Sequence, residues 1–225
     1  MTSIEEKVAK LLSLTSSANE HEAALAATKA AELIDQYNLD RSKLKREERE
    51  PIELQTIWKG KGRATPVYIR ALGVAVKHLF SIVPVNYQGQ GEIRGVGRAT
   101  SLSAARETLA ALALGIENSL TKRRRSGELS GRQEISAYRH AAALVIVQRA
   151  KEFAQSREDA NNETTALVRS DYQAARDAMS DLCGPTQTGR RRGVSLNIGA
   201  AFGEHDGKGI SLGVGGRLGG RLNLP

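Results

Sequence analysis

The sequence predicts an α+β protein that is mainly α: an N-terminal helical hairpin, an α-β-β-α unit, two further long helices and a Gly/Arg-rich tail. Three observations lead there. Apolar side chains recur at three- and four-residue steps along most of the chain, the period that gives a helix one face to bury. Strict alternation of apolar and polar residues, the mark of a half-buried strand, is confined to short runs. Only 4% of residues are aromatic while 40% are hydrophobic, so the core must come mainly from Ala, Leu, Val and Ile, as in closely packed helices.

Residues 1–45 read as two antiparallel helices. The first places Ile4, Val8, Leu11 and Leu12 on one face, and the second does the same with Ala23, Ala27, Ala30, Ile34 and Tyr37. Between them, Asn19 followed three residues later by Glu22 supplies a capping box for the second helix. The pattern K-x-x-x-L-L, a Ser-rich turn, then N-E-H-E-A-x-x-A-x-x-K-A-x-x-L-x-x-x-Y-x-L resembles the N-terminal signature of a bacterial and phage family known as domain of unknown function twenty-seven eighty-six. The following α-β-β-α order is similar to the segment that usually follows in those proteins. The resemblance implies a setting in phages and mobile elements and carries no settled activity. Some members are attached to protease-like domains of the SprT type, but His21-Glu22 is followed by A-A-L-A, so the H-E-x-x-H zinc helix is absent.

After a charge-dense linker from Asp40 to Pro51, Ile52–Trp58 alternates as an edge strand and G-K-G-R-A-T-P reads as a basic glycine loop. Thr65 as cap and Pro66 as first helical residue then open a helix burying Ile69, Leu72, Val76 and Leu79. Ser81–Tyr87 and Glu92–Val96, separated by Q-G-Q-G, predict a β-hairpin. The next helix, capped by Thr100 or Ser101, carries the stripe Leu102, Ala105, Leu109, Leu112, Ile116 and Leu120, which completes a unit over residues 52–121.

The run T-K-R-R-R-S-G-E-L-S-G-R-Q-E (121–134) is expected to break the helical pattern and separate this unit from a helical block at 134–183. That block holds a helix with the stripe Ile135, Tyr138, Ala142, Val145, Ile146 and Phe153. A second helix, from about Glu163 to Leu182, spaces Val168, Tyr172, Ala175, Met179 and Leu182 for packing on another helix of this chain or of a second copy. In the tail, 184–225, V-S-L-N-I and I-S-L-G-V alternate around G-E-H-D-G-K-G, which predicts a β-hairpin unless the glycine density leaves the tail to be ordered by a partner.

Of the net charge of +8, residues 51–121 supply +4, 122–134 supply +3 and 184–225 supply +4, while the remaining segments are slightly acidic. Basic charge concentrated in this way is the footprint of a polyanion partner, because each cation set against a phosphate releases counterions. The expected function is therefore non-specific nucleic-acid binding, to DNA or RNA, through Lys122, Arg123, Arg124, Arg125, Arg190, Arg191 and Arg192. Arg98 joins them on the G-V-G-R-A-T-S loop, where a helix start would offer amides to a phosphate; a plain strand-to-helix turn is the competing reading. The two arginine triplets flank the helical block and are expected to meet on one side of it.

An interaction module, such as a virion component or an inhibitor of a host protein, is the alternative, and an enzyme acting on nucleic acid or peptide is the third reading. The four histidines are scattered and no nucleophile elbow or Walker lysine loop is present, so no catalytic residue, metal or cofactor is expected. A lone Cys183 excludes an internal disulfide and, with no membrane-length apolar run, points to the cytoplasm, that of the host if the gene is phage-borne.

Overall fold

The computed structural model describes residues 50–160, 162–186 and 197–213. The predicted N-terminal hairpin and the triplet Arg190–Arg192 lie outside them. In chain order the elements are β1 (Ile52–Lys59), α1 (Val67–Phe80), β2 (Val83–Tyr87), β3 (Glu92–Arg98), α2 (Ala99–Arg125), α3 (Arg132–Ala160), α4 (Asn162–Cys183) and α5 (Ile198–Gly209).

The three strands form one antiparallel sheet in the order β1-β3-β2, so β3 is central, with its hairpin partner β2 on one side and β1, which precedes α1 in the chain, on the other. A register shift between Thr56 and Trp58 turns Ile57 into the core, where it is 2% exposed. Alternation then divides β3 between two layers. Ile93, Gly95 and Gly97 face α1, Ile82 and α2, and the absence of side chains on the glycines is what lets these close in. A Cβ on Gly95 would lie 2.6 Å from a methyl of Leu102 in α2, and one on Gly97 would lie 2.8 Å from Ile82. The opposite face carries Arg98 toward α4, which packs on all three strands.

One apolar core runs from Ile57 to Leu212 and takes residues from β1, α1, β3, α2, α3 and the segment after α5, so the predicted boundaries near 121, 134 and 184 fall within a shared core. The predicted stripes of α1 and α2 are buried throughout. On α4 the buried face centres on Asp171 and Ala175, and Leu182, the last member of its predicted stripe, is 40% exposed.

Four local expectations are corrected. Pro66 is the cap residue of α1 and not its first helical position, and Thr65 Oγ1 is buried without a partner instead of capping. β3 passes directly into α2 at Arg98, so neither Thr100 nor Ser101 caps that helix; the Thr100 N–H donates to the Glu50 carboxylate at 3.1 Å. The basic run does not break the helix, because α2 continues through Arg125. Most consequentially, residues 198–209 form a helix and not a hairpin turn. Asn197 caps it, accepting from the Ala200 N–H at 3.1 Å. Gly199, Gly203 and Gly207 recur every four residues on the face that meets α3, where added Cβ atoms would lie 2.1, 2.2 and 2.9 Å from the carbonyl oxygens of Glu134, Tyr138 and Ala142. The glycines therefore bring two helix backbones into contact.

Candidate nucleic-acid interface

The last turn of α2 carries Lys122, Arg123, Arg124 and Arg125, the sign of charge that the carbonyl end of a helix dipole favours. The turn is closed by Ser126 N–H to the Lys122 carbonyl (3.1 Å), Gly127 N–H to Arg124 (3.2 Å) and Glu128 N–H to Arg123 (3.0 Å). Gly127 takes φ 78°, which only a residue without a Cβ adopts freely.

Arg123 turns inward. Its Nε and Nη2 donate to the two carboxylate oxygens of Asp206 at 3.0 and 2.8 Å, and its Nη1 reaches both oxygens of Glu128 at 3.1 and 3.0 Å. Its guanidinium also stacks over the Phe202 ring at 4.5 Å. Asp206 further accepts the Tyr138 hydroxyl at 2.8 Å and has His205 Nδ1 at 3.1 Å, so one carboxylate ties α2, α3 and α5 together. Burial pushes the Asp206 pKa up, but the hydrogen bonds from Arg123, His205 and Tyr138 outweigh it and hold the carboxyl at about 2. The Tyr138 phenol is raised by burial and by the same carboxylate. His205 and Asp206 thus sit on a helix, with the aspartate engaged by an arginine.

Lys122, Arg124 and Arg125 remain exposed, and Arg132 at the start of α3 is exposed across the loop from them. Among the described residues none of these four makes an ion pair. The two acids beside them are already engaged: Glu128 in the loop holds Arg123, and Glu134 in the first turn of α3 accepts the Ser130 and Gly131 amides at 3.2 and 3.0 Å. Those amide bonds keep the Glu134 carboxyl below its ordinary range. The result is an exposed cationic cluster in which, among the described residues, none of the four side chains is paired with a carboxylate. Arg132 lies in the same sequence run, and it is left without an ion pair among the described residues because Glu134 folds back onto the loop amides.

Arg98 is placed elsewhere. It is 9% exposed, donates from Nε to Asp171 Oδ1 at 3.1 Å with Nη2 3.0 Å from the same oxygen, and donates from Nη1 to the Glu50 carbonyl. A cation buried between sheet and helix needs such partners, and they occupy the donors that a phosphate would use. Gly95 and Gly97, which suggested a phosphate loop, instead make room for Leu102 and Ile82.

Among the described residues no group of three or more His, Cys, Asp or Glu is placed to hold a metal ion, and no helix is long and apolar enough to cross a membrane. No curated protein and no solved structure matches the chain. The stretch that predicted the helical hairpin is the one with a match: residues 3–41 are similar to a family model described as a protein of unknown function (DUF2786).

Proposed function

We propose that this protein binds nucleic acid without sequence preference, through phosphate contacts made by Lys122, Arg124, Arg125 and Arg132, in the phage or mobile-element setting that its family resemblance implies. The observation that supports this reading is that four exposed cations flank the short loop between α2 and α3, while Glu128 is paired with Arg123 and Glu134 is hydrogen-bonded to the loop amides. Arg123 and Arg98 drop out of the interface, because each is held by carboxylates of its own chain. Arg190 to Arg192 stay in the proposal as the second basic segment.

Replacing Lys122, Arg124 and Arg125 with Ser should weaken binding to every DNA or RNA sequence alike. It should also flatten the plot of log affinity against log salt by about two to three units, since each phosphate contact contributes close to one. Titrations over a range of salt, with an Arg190–Arg192 triple variant alongside, measure this. Failure of the wild-type protein to bind at low salt, or a slope unchanged in both variants, rejects the reading.

One observation favours the interaction-module alternative. An apolar groove between α3 and α5 is lined by Ala141, Leu144, Val145 and Ile198, with Leu144 42% and Ile198 55% exposed. Leu144→Glu should then abolish partner capture while leaving the salt slope of nucleic-acid binding intact.

A further inference from the structure

The basic glycine loop between β1 and α1, G-K-G-R-A at residues 60–64, lies outside the α2–α3 cluster and is held in place through its backbone. The Gly60 N–H donates to the Gly91 carbonyl at 3.0 Å, and an added Cβ on Gly91 would run into the Gly62 carbonyl, so the loop sits directly on the turn of the β2–β3 hairpin. The ring of Trp58, the one tryptophan of the chain, covers Gly60 so closely that no Cβ would fit there. Lys61, Gly62 and Arg63 are exposed, and a Cβ on Gly62 would meet nothing within 4 Å. The acid next to the loop is already engaged: Glu92 is 6% exposed and is held by Lys59 at 2.7 Å and by Arg94 at 3.2 Å. Among the described residues neither Lys61 nor Arg63 forms an ion pair.

This loop opens on the end of the fold where α2 finishes and α3 begins. Tyr68, in the first turn of α1, has the Arg139 guanidinium over its ring at 5.7 Å, and Arg139 donates to Glu117 at 2.7 and 2.6 Å, so the start of α1 meets α2 and α3 at these two residues. Glu117 lies two turns before the end of α2 at Arg125, and Arg139 lies two turns after the start of α3 at Arg132, about 10–12 Å along either axis. Lys61 and Arg63 are therefore at the same end as Lys122, Arg124, Arg125 and Arg132, where Glu117, Glu128 and Glu134 each have partners already. One or two of these side chains would satisfy an isolated anion. Six of them, exposed and spread over two loops, fit a polyanion whose phosphates recur about every 3.4 Å along each strand.

We propose that the glycine loop is a second contact for the same nucleic-acid molecule, with Lys61 and Arg63 taking phosphates on one side of the α1 start and the α2–α3 cluster taking them on the other. The proposal rests on the nucleic-acid reading above and adds the path of the ligand, from the α2–α3 loop to the turn of the β2–β3 hairpin. Backbone contacts fix the loop before any ligand arrives, so binding need not order it and the two free side chains contribute with little entropic cost beyond their own.

Trp58 gives the test a reporter inside the loop. The full chain is titrated with a short labelled DNA duplex at several salt concentrations, with duplex anisotropy and tryptophan emission followed together. Emission should change with the same midpoint as anisotropy, at one duplex per chain. The double variant Lys61→Ser, Arg63→Ser should lose about two units of salt slope with its thermal melt retained, because neither side chain is paired within the described fold. If the duplex binds but the double variant keeps the wild-type slope, or if Trp58 emission is unchanged at saturation, the loop is no part of the interface and the α2–α3 cluster stands alone. Two duplexes per chain would make the loops separate sites and overturn the shared path. If no duplex binds at low salt, both proposals fall.

Discussion

Asp206 shows how a single side chain decides the availability of another. By accepting from Arg123 and Tyr138 it removes one arginine from a cluster of four consecutive cations and fixes three helices. Its folded pKa, about 2, lies below the ordinary 3.8. The interaction therefore stabilises the fold fully above pH 3.8 and is lost as pH falls through 2. The difference corresponds to about 2 kcal/mol. Asp206→Asn should lower stability by about that amount at neutral pH in urea melts, with the gap from wild type closing near pH 2. Lys122→Ser, which breaks no contact among the described residues, should change stability by less than about 0.5 kcal/mol. Equal losses from the two variants would mean that the Asp206 tie is not formed.

At the scale of elements, α5 is held by what its face lacks. Alanine is a better helix former than glycine by about 1 kcal/mol, yet at Gly203 its methyl would meet the Tyr138 backbone at 2.2 Å. Backbone cannot rotate aside as a side chain can, so α5 would have to move off α3. Gly203→Ala is expected to destabilise by about 2–3 kcal/mol. Gly209, where an added Cβ meets nothing within 4 Å, is the matched control, and alanine there should be neutral or stabilising by about 0.5 kcal/mol. Thermal melts of the two variants separate a packing glycine from a merely flexible one. A Gly203→Ala protein as stable as wild type would place α5 elsewhere.

For the whole molecule, the uneven charge links stability to pH. His78 and His140 are both lowered from 6.5 in the folded state, by burial first and then by neighbouring cations. The folded protein thus resists protonation where the unfolded chain accepts it. Stability should be complete above pH 6.5 and decline as pH falls from there through the folded values. Melting temperatures followed down to about pH 5 should show this decline, and His78→Gln with His140→Gln should flatten it. A profile identical in that variant would assign the pH dependence to other groups.

Within the described residues, local pattern determined α1 to α4 and the three strands. The stripe from Leu102 to Leu120 is buried at every position, and the Q-G-Q-G segment turns through left-handed Gly89 and Gly91, because apolar period and turn chemistry act between near neighbours. The same reasoning misread 198–209, where glycine density suggested a turn. The four-residue spacing of Gly199, Gly203 and Gly207 was present in the sequence, but its meaning depended on a facing helix. Which arginines stay free for a partner was likewise beyond local pattern. Arg98 pairs with Asp171 across 73 residues and Arg123 with Asp206 across 83. Charge pairing at such separations is set by how α4 and α5 pack back onto the earlier elements, so only the tertiary structure divided the basic residues into those that hold the fold and those left to solvent.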